Sequence, residues 1–116
     1  MTEMLKVSVD RRTPLAVIYT EGYINNQGGE EIARVAYDLI DDDHKILLLN
    51  LEGTKIVNSI GISILIEIIE KMLEIDGVLA FCNLTPTIEK TFHIMGLAQY
   101  ARIFDTEETA VGSLTA

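Results

Sequence analysis

One serine in this sequence has the type and setting that chemistry asks for. Ser59 stands in Val57-Asn58-Ser59-Ile60-Gly61, between a short loop and a long isoleucine-rich segment. Its hydroxyl has three possible uses. As a nucleophile it needs a sharp strand-to-helix turn, with glycines two residues before and after it; Gly61 meets that need and Val57 does not. As a cap, Ser59 or its neighbour Asn58 accepts a backbone N–H two or three residues further on. As a phosphate acceptor, it places the new charge among free N–H groups at the positive end of a helix dipole.

Other chemistry finds little support. His44 and His93 are far apart and in no metal-ligand spacing, so both are expected to be exposed or capping, and no metal is expected. Gly28-Gly29 falls short of a dinucleotide fingerprint, and no loop ends in the Gly-Lys-Ser/Thr of a phosphate cradle. No cofactor and no catalytic residue are therefore expected. Cys82, the only cysteine, lies in the apolar stretch Val78-Leu79-Ala80-Phe81-Cys82 and reads as a buried, inert thiol.

Eighteen acidic against nine basic side chains give a formal charge of -9, which offers no footprint for nucleic acid or anionic lipid. Met1-Thr2-Glu3-Met4 has neither a basic nor an apolar leader pattern. No run reaches the roughly 18 apolar residues of a membrane span, because Ser63, Glu67, Glu70 and Lys71 interrupt the richest segment. A cytoplasmic protein of one domain, residues 1–116, is expected.

The elements that must position Ser59 follow from periodicity. Leu5, Val7 and Val9 alternate with Lys6, Ser8 and Asp10, which predicts a half-buried strand. Arg11 to Pro14 reads as a turn, and Leu15 to Ile24 as a second strand paired with the first. Asn25-Asn26-Gln27-Gly28-Gly29 reads as a loop. A helix then follows, with Glu30 and Glu31 in its first turn and Ile32, Val35, Ala36, Leu39 and Ile40 on its packed face. The run Ile46-Leu47-Leu48-Leu49 within Lys45 to Leu51 suits a strand buried on both faces of a parallel sheet.

The isoleucine-rich helix ends at Asp76-Gly77, with Gly77 suited to a left-handed terminus. Val78 to Cys82 forms a strand. Thr85-Pro86 caps a helix that carries Ile88, Phe92 and Met95 inward and stops at Gly96. A short strand within Tyr100 to Phe104 precedes a last helix, which Asp105 is expected to cap. The order β-β-α-β-α-β-α-β-α implies right-handed crossovers and an α/β sheet.

At about 100° per residue, Ser59, Ser63, Glu67, Glu70, Lys71 and Glu74 share an arc of about 120° on the central helix. The apolar residues outside it, Leu73 among them, are expected to pack. Ile60 falls inside the polar arc with no core partner. It is therefore expected to be exposed beside Ser59, either incidentally or as a partner contact.

The chain resembles a STAS domain of the bacterial anti-sigma-factor antagonist family from about Leu5 to Leu114. The resemblance rests on Leu47-Leu48-Leu49-Asn50-Leu51 followed by Val57-Asn58-Ser59-Ile60-Gly61-Ile62. Gly22-Tyr23-Ile24-Asn25, Gly96-Leu97, Phe104 and Glu107-Glu108-Thr109-Ala110 add to it. It implies a mixed β-sheet with helices packed mainly on one side. It also implies a non-enzymatic regulator that binds an anti-sigma serine/threonine kinase and is released by phosphorylation at Ser59, with a phosphatase as a further partner.

The switch surface so implied comprises Asn25, Asn58, Ser59, Ile60, Gly61 and Ser63. The family usually has Asp where this chain has Asn25 and Asn58. Asparagine keeps the capping acceptor and loses the charge. That leaves a constitutive, non-phosphorylated adaptor as the first rival, and a ligand-binding or hydrolytic domain using Ser59 as the second.

Overall fold

The computed structural model describes residues 5–115; Ala116 and the stretch Met1 to Met4, on which the leader expectation falls, lie outside it. The elements are β1 (Lys6–Arg12), β2 (Leu15–Glu21), α1 (Asn26–Asp41), β3 (Ile46–Gly53), α2 (Ser59–Glu74), β4 (Val78–Cys82), α3 (Pro86–Ile94), a 3₁₀ turn (Leu97–Gln99), β5 (Arg102–Phe104) and α4 (Glu107–Leu114). The strands lie in the order β1-β2-β3-β4-β5. β1 runs antiparallel to β2, and every other pairing is parallel. The sheet is mixed, as the resemblance implied.

Alternation along the strands splits the core in two. Ala16, Ile18, Leu47, Leu49, Leu51, Leu79 and Phe81 face α1, α2 and α3. Leu15, Val17, Leu48, Ala80 and Cys82 face Ala110 of α4. β3 is thus apolar on both sides because both sides are covered. Phe81 and Phe92 meet edge to face at 4.9 Å in the larger layer. The Cys82 thiol is buried, and burial, with Glu107 and Glu52 nearby, pushes it up to about 12, so it stays protonated and inert.

Several sequence expectations are corrected. β1 continues through Arg12, leaving Thr13-Pro14 as the turn, while β2 stops at Glu21. Asn26 to Gly29 are not loop but the first turn of α1, so Glu30 and Glu31 lie one turn further in. Asp76, not Gly77, takes the left-handed backbone (φ 57°) at the end of α2. Gly77 is glycine for space: a Cβ there would lie 2.7 Å from Met72 Cε and 2.8 Å from the Lys45 carbonyl. Of the two roles expected for His44, exposed or capping, it takes the second: it is buried, its backbone N–H donates to Leu39 O at 2.9 Å, closing the end of α1, and its ring contacts the Thr13 hydroxyl. Leu73 and Met95 are about half exposed rather than packed.

The cap of α4 is Thr106, whose hydroxyl accepts from Thr109 N, rather than Asp105. This frees Glu107 to turn toward the sheet. Its carboxylate accepts from Asn50 Nδ2 at 3.0 Å, Tyr19 OH at 3.0 Å and Arg12 at 3.2 Å. Burial works against the Glu107 charge, yet these three donors outweigh it and hold the carboxyl below its ordinary range. Burial and the same carboxylate push the Tyr19 phenol up to about 12, so it remains a donor. One residue therefore anchors α4 to three strands.

Glu107→Ala is expected to lose about 2 kcal/mol in denaturant unfolding, because the buried Asn50 amide and the half-buried Tyr19 hydroxyl are left unpaired. A carboxyl held low in the folded state adds stability that is complete above its ordinary value of 4.5 and is lost as pH falls through the folded value. Wild type should therefore lose its advantage over Glu107→Gln as pH drops below about 4.5. A stability difference between the two that stays constant from pH 7 to pH 3 would refute this role.

Candidate functional site

The site is built where β2 and β3 outrun the sheet. Gly22 turns β2 aside (φ 122°), a conformation that glycine adopts freely, and its N–H donates to Gly53 O at 3.0 Å. The two chains then meet again. Ile24 N donates to Ile56 O at 3.0 Å, Asn58 N donates to Ile24 O at 3.1 Å, and Ile24 bridges Val57 in parallel. This stitch sets the starts of α1 and α2 side by side.

Each start is capped by an asparagine with a glycine three residues on. Asn25 Oδ1 accepts from Gly28 N, and Asn58 Oδ1 accepts from Gly61 N, both at 2.8 Å. The glycines are dictated by crowding. A Cβ on Gly28 would stand 2.7 Å from Tyr23 O. One on Gly61 would collide with the Ile24 carbonyl and lie 2.9 Å from Ile24 Cγ2. At the next position, Gly29 lets Ile64 of α2 approach α1.

Since Asn58 is the cap, the Ser59 hydroxyl is not used to start the helix. Ser59 is the first residue of α2, and it is exposed. Asn58 serves Gly61 N with its side chain and Ile62 N with its carbonyl. The N–H groups of Ser59 and Ile60 are therefore the first-turn donors left for another acceptor. Neither α1 nor α2 carries an acidic residue in its first turn, so the positive ends of both dipoles are uncompensated from within the helices. A phosphate on Ser59 would meet a receptive helix end.

The six residues expected at the switch surface separate into two sets. Ser59, Ile60 and Ser63 are exposed, with Ile60 at 52% and the Ser63 hydroxyl donating to Ser59 O at 3.0 Å. Asn25 and Asn58 are half-buried caps. Gly61 is buried beneath Ile24, so it shapes the surface from below rather than forming part of it.

Tyr23, Lys55 and Ile56 complete the surface, and sequence reasoning missed them. With Gly22 and Gly53 they line a shallow depression of about 160 Å³, and Ile56 is 59% exposed. Their one legible signal is an isoleucine in a polar loop. Lys55 supplies a cation to this end of the molecule.

Comparison with known proteins bears on this arrangement. The STAS domain family profile matches residues 6–110. BtrV of Bordetella bronchiseptica, named as an anti-sigma factor antagonist, is 18% identical over 94% of this chain and 94% of its own. A crystal structure of an anti-sigma factor antagonist from Mycobacterium paratuberculosis superposes with a TM-score of 0.86 over 100% of both chains, at 17% identity. SpoIIAA, a Bacillus cell fate determinant solved in its phosphorylated form, gives 0.73 over 94% of this chain and 99% of that one, at 21% identity. At such identities the structural likeness establishes the shared fold.

The cap assignment has a direct thermodynamic consequence. Asn58→Ala is expected to lose about 1 kcal/mol, or roughly 4 °C in Tm, while Ser59→Ala stays within about 0.5 kcal/mol of wild type. Gly61→Ala should cost about 1–3 kcal/mol through overpacking against Ile24. Thermal melts of the three variants settle the assignment; a Ser59→Ala loss as large as that of Asn58→Ala would contradict it.

Proposed function

The chain belongs to the STAS domain family, and from that premise we propose that it is an anti-sigma factor antagonist of a partner-switching pathway. Unphosphorylated, it binds an anti-sigma serine/threonine kinase; phosphorylation at Ser59 ends that interaction. The observation that carries this reading is the uncommitted Ser59 hydroxyl. It is exposed at the first position of α2, with Asn58 doing the capping. A named antagonist among the relatives and a fold neighbour captured phosphorylated add support.

Exposed apolar side chains beside the hydroxyl explain how a phosphate would switch binding. Tyr23, Ile56 and Ile60 are 37%, 59% and 52% exposed. Docking a partner there desolvates them, with a gain proportional to the apolar area removed from water. A phosphate on Ser59 brings nearly two negative charges and their hydration into that contact. Association is lost without any change in the fold, because the new charge is accepted by free N–H groups at the helix start.

A constitutive adaptor is the second reading, and it rests on Asn25 and Asn58. Both caps are neutral, so a kinase that reads a carboxylate beside the serine would find none. The family role is consistent with no catalytic function for Ser59, and the valine at position 57 argues against a nucleophile turn.

Incubation with the cognate kinase, ATP and Mg²⁺ should add one phosphate, mapped to Ser59. Ser59→Ala should take none, yet stay folded and bound. Modification mapped to Ser63 would exclude Ser59 as the switch, and no modification at all would favour the adaptor. If the missing charge slows the reaction, Asn58→Asp should raise the single-turnover rate at nearly unchanged Tm, whereas equal rates would show the substitution to be neutral.

Ile60→Ala tests the apolar contact. It should weaken the kinase complex by about 1–2 kcal/mol in titration calorimetry while leaving the melt of the free protein in place. Unchanged affinity would remove Ile60 from the interface.

A further inference from the structure

At the far end of α2, about 21 Å along the helix from Ser59 by its 1.5 Å rise per residue, a second apolar feature lies open. Ile66, Ile69 and Leu73 of α2 form one wall of a groove of about 400 Å³; Met95, Leu97 and Tyr100 form the other. Leu73, Met95 and Tyr100 are 51%, 48% and 64% exposed, above a floor of buried Ile69 and Leu97. Single exposed apolar residues are ordinary, whereas three converging on one concavity mark a contact surface.

Charge indicates what the groove receives. With Leu73 set at zero on the helical wheel, Ile66 and Ile69 lie at about +20° and -40°, while Glu70, Glu74 and Glu67 lie at about 60°, 100° and 120°. Lys71 falls at about 160°, on the far side of that acidic row. Glu70 itself lines the groove. Across Tyr100, the neighbouring cleft is lined by Glu89 and Asp105. That cleft also holds Arg102, which lies over the Phe104 ring at 4.9 Å and bonds Ser113, and exposed Lys90 stands next to Glu89, so the acidic side of the groove is the α2 side.

An apolar floor with an acidic row along its α2 side complements an apolar stripe flanked by basic residues. A second copy of this chain, with formal charge -9, would bring acid against acid. An anionic bilayer meets the same repulsion. The length fits as well, since Ile66 and Leu73 are seven residues apart on one face and span about 10.5 Å. That is the spacing of the i and i+7 anchors of a docked helix. We infer that this groove docks a basic amphipathic helix of another protein. The inference goes beyond the Ser59 switch and stands whether or not Ser59 is ever phosphorylated.

The test uses the full chain and a fluorescein-labelled 14-residue peptide of leucine and lysine, with leucines at i, i+3, i+4 and i+7. Anisotropy at low salt should show saturable one-to-one binding, with helix gained in circular dichroism. Leu73→Ala, at an already half-exposed position, should weaken binding about tenfold at unchanged Tm. Glu70→Gln should weaken it several-fold, Glu108→Gln on the opposite face of the sheet should not, and Ser59→Ala should bind as wild type does.

Four results would overturn the inference. They are equal losses from Glu70→Gln and Glu108→Gln, equal binding of a matching leucine–glutamate peptide, self-association in sedimentation that Leu73→Ala abolishes, and Leu73-dependent binding to phosphatidylserine vesicles. The Ser59→Ala arm keeps failure here separate from failure of the switch.

Discussion

Two hydrogen bonds beyond the end of the sheet, from Ile24 N to Ile56 O and from Asn58 N to Ile24 O, govern how this molecule presents its surface. They hold the exits of β2 and β3 together after the regular ladder has ended. Because α1 begins two residues after Ile24 and α2 one residue after Asn58, the same bonds fix where both helices start. The asparagine caps and the crowded glycines follow from that closeness. With Ile24 pressed on the first turn of α2, position 61 has no room for a side chain. With α1 pressed on Ile64, neither has position 29.

The capping division of labour has functional weight. A helix start needs one good acceptor, and Asn58 provides it. A serine immediately after the cap is then free of structural duty and held on a rigid element. Modification there perturbs the surface and leaves the fold alone. That is the physical requirement for a switch read by a partner rather than by refolding.

The opposite face of the sheet depends on a different device. α4 is short and buries one small side chain, Ala110. Its attachment relies on the Glu107 carboxylate and three donors from β1, β2 and β3. Charge-assisted bonds of this kind compensate for the limited apolar area that a helix of two turns can bury. The two faces thus differ, with extensive apolar packing under α1, α2 and α3 and a smaller apolar cluster reinforced by a polar clamp under α4.

Local periodicity determined a great deal of this protein. The element order, the doubly buried β3, the limits of β4, the Thr85-Pro86 start of α3 and the exposure of Ile60 beside Ser59 were all legible. Each depends on neighbours within a turn or on strand alternation. What tertiary structure decided involves residues distant in sequence. Asn25 to Gly29 read as loop because two glycines weaken a helix, and only the approach of Ile64 shows why glycine is required there. Asp105 was expected to cap α4, and only the sheet brings Asn50 and Tyr19 within reach of Glu107. Leu73 and Met95 satisfy the apolar pattern yet lie open, because helical phase tells which side of a helix a residue occupies and not whether another element covers it.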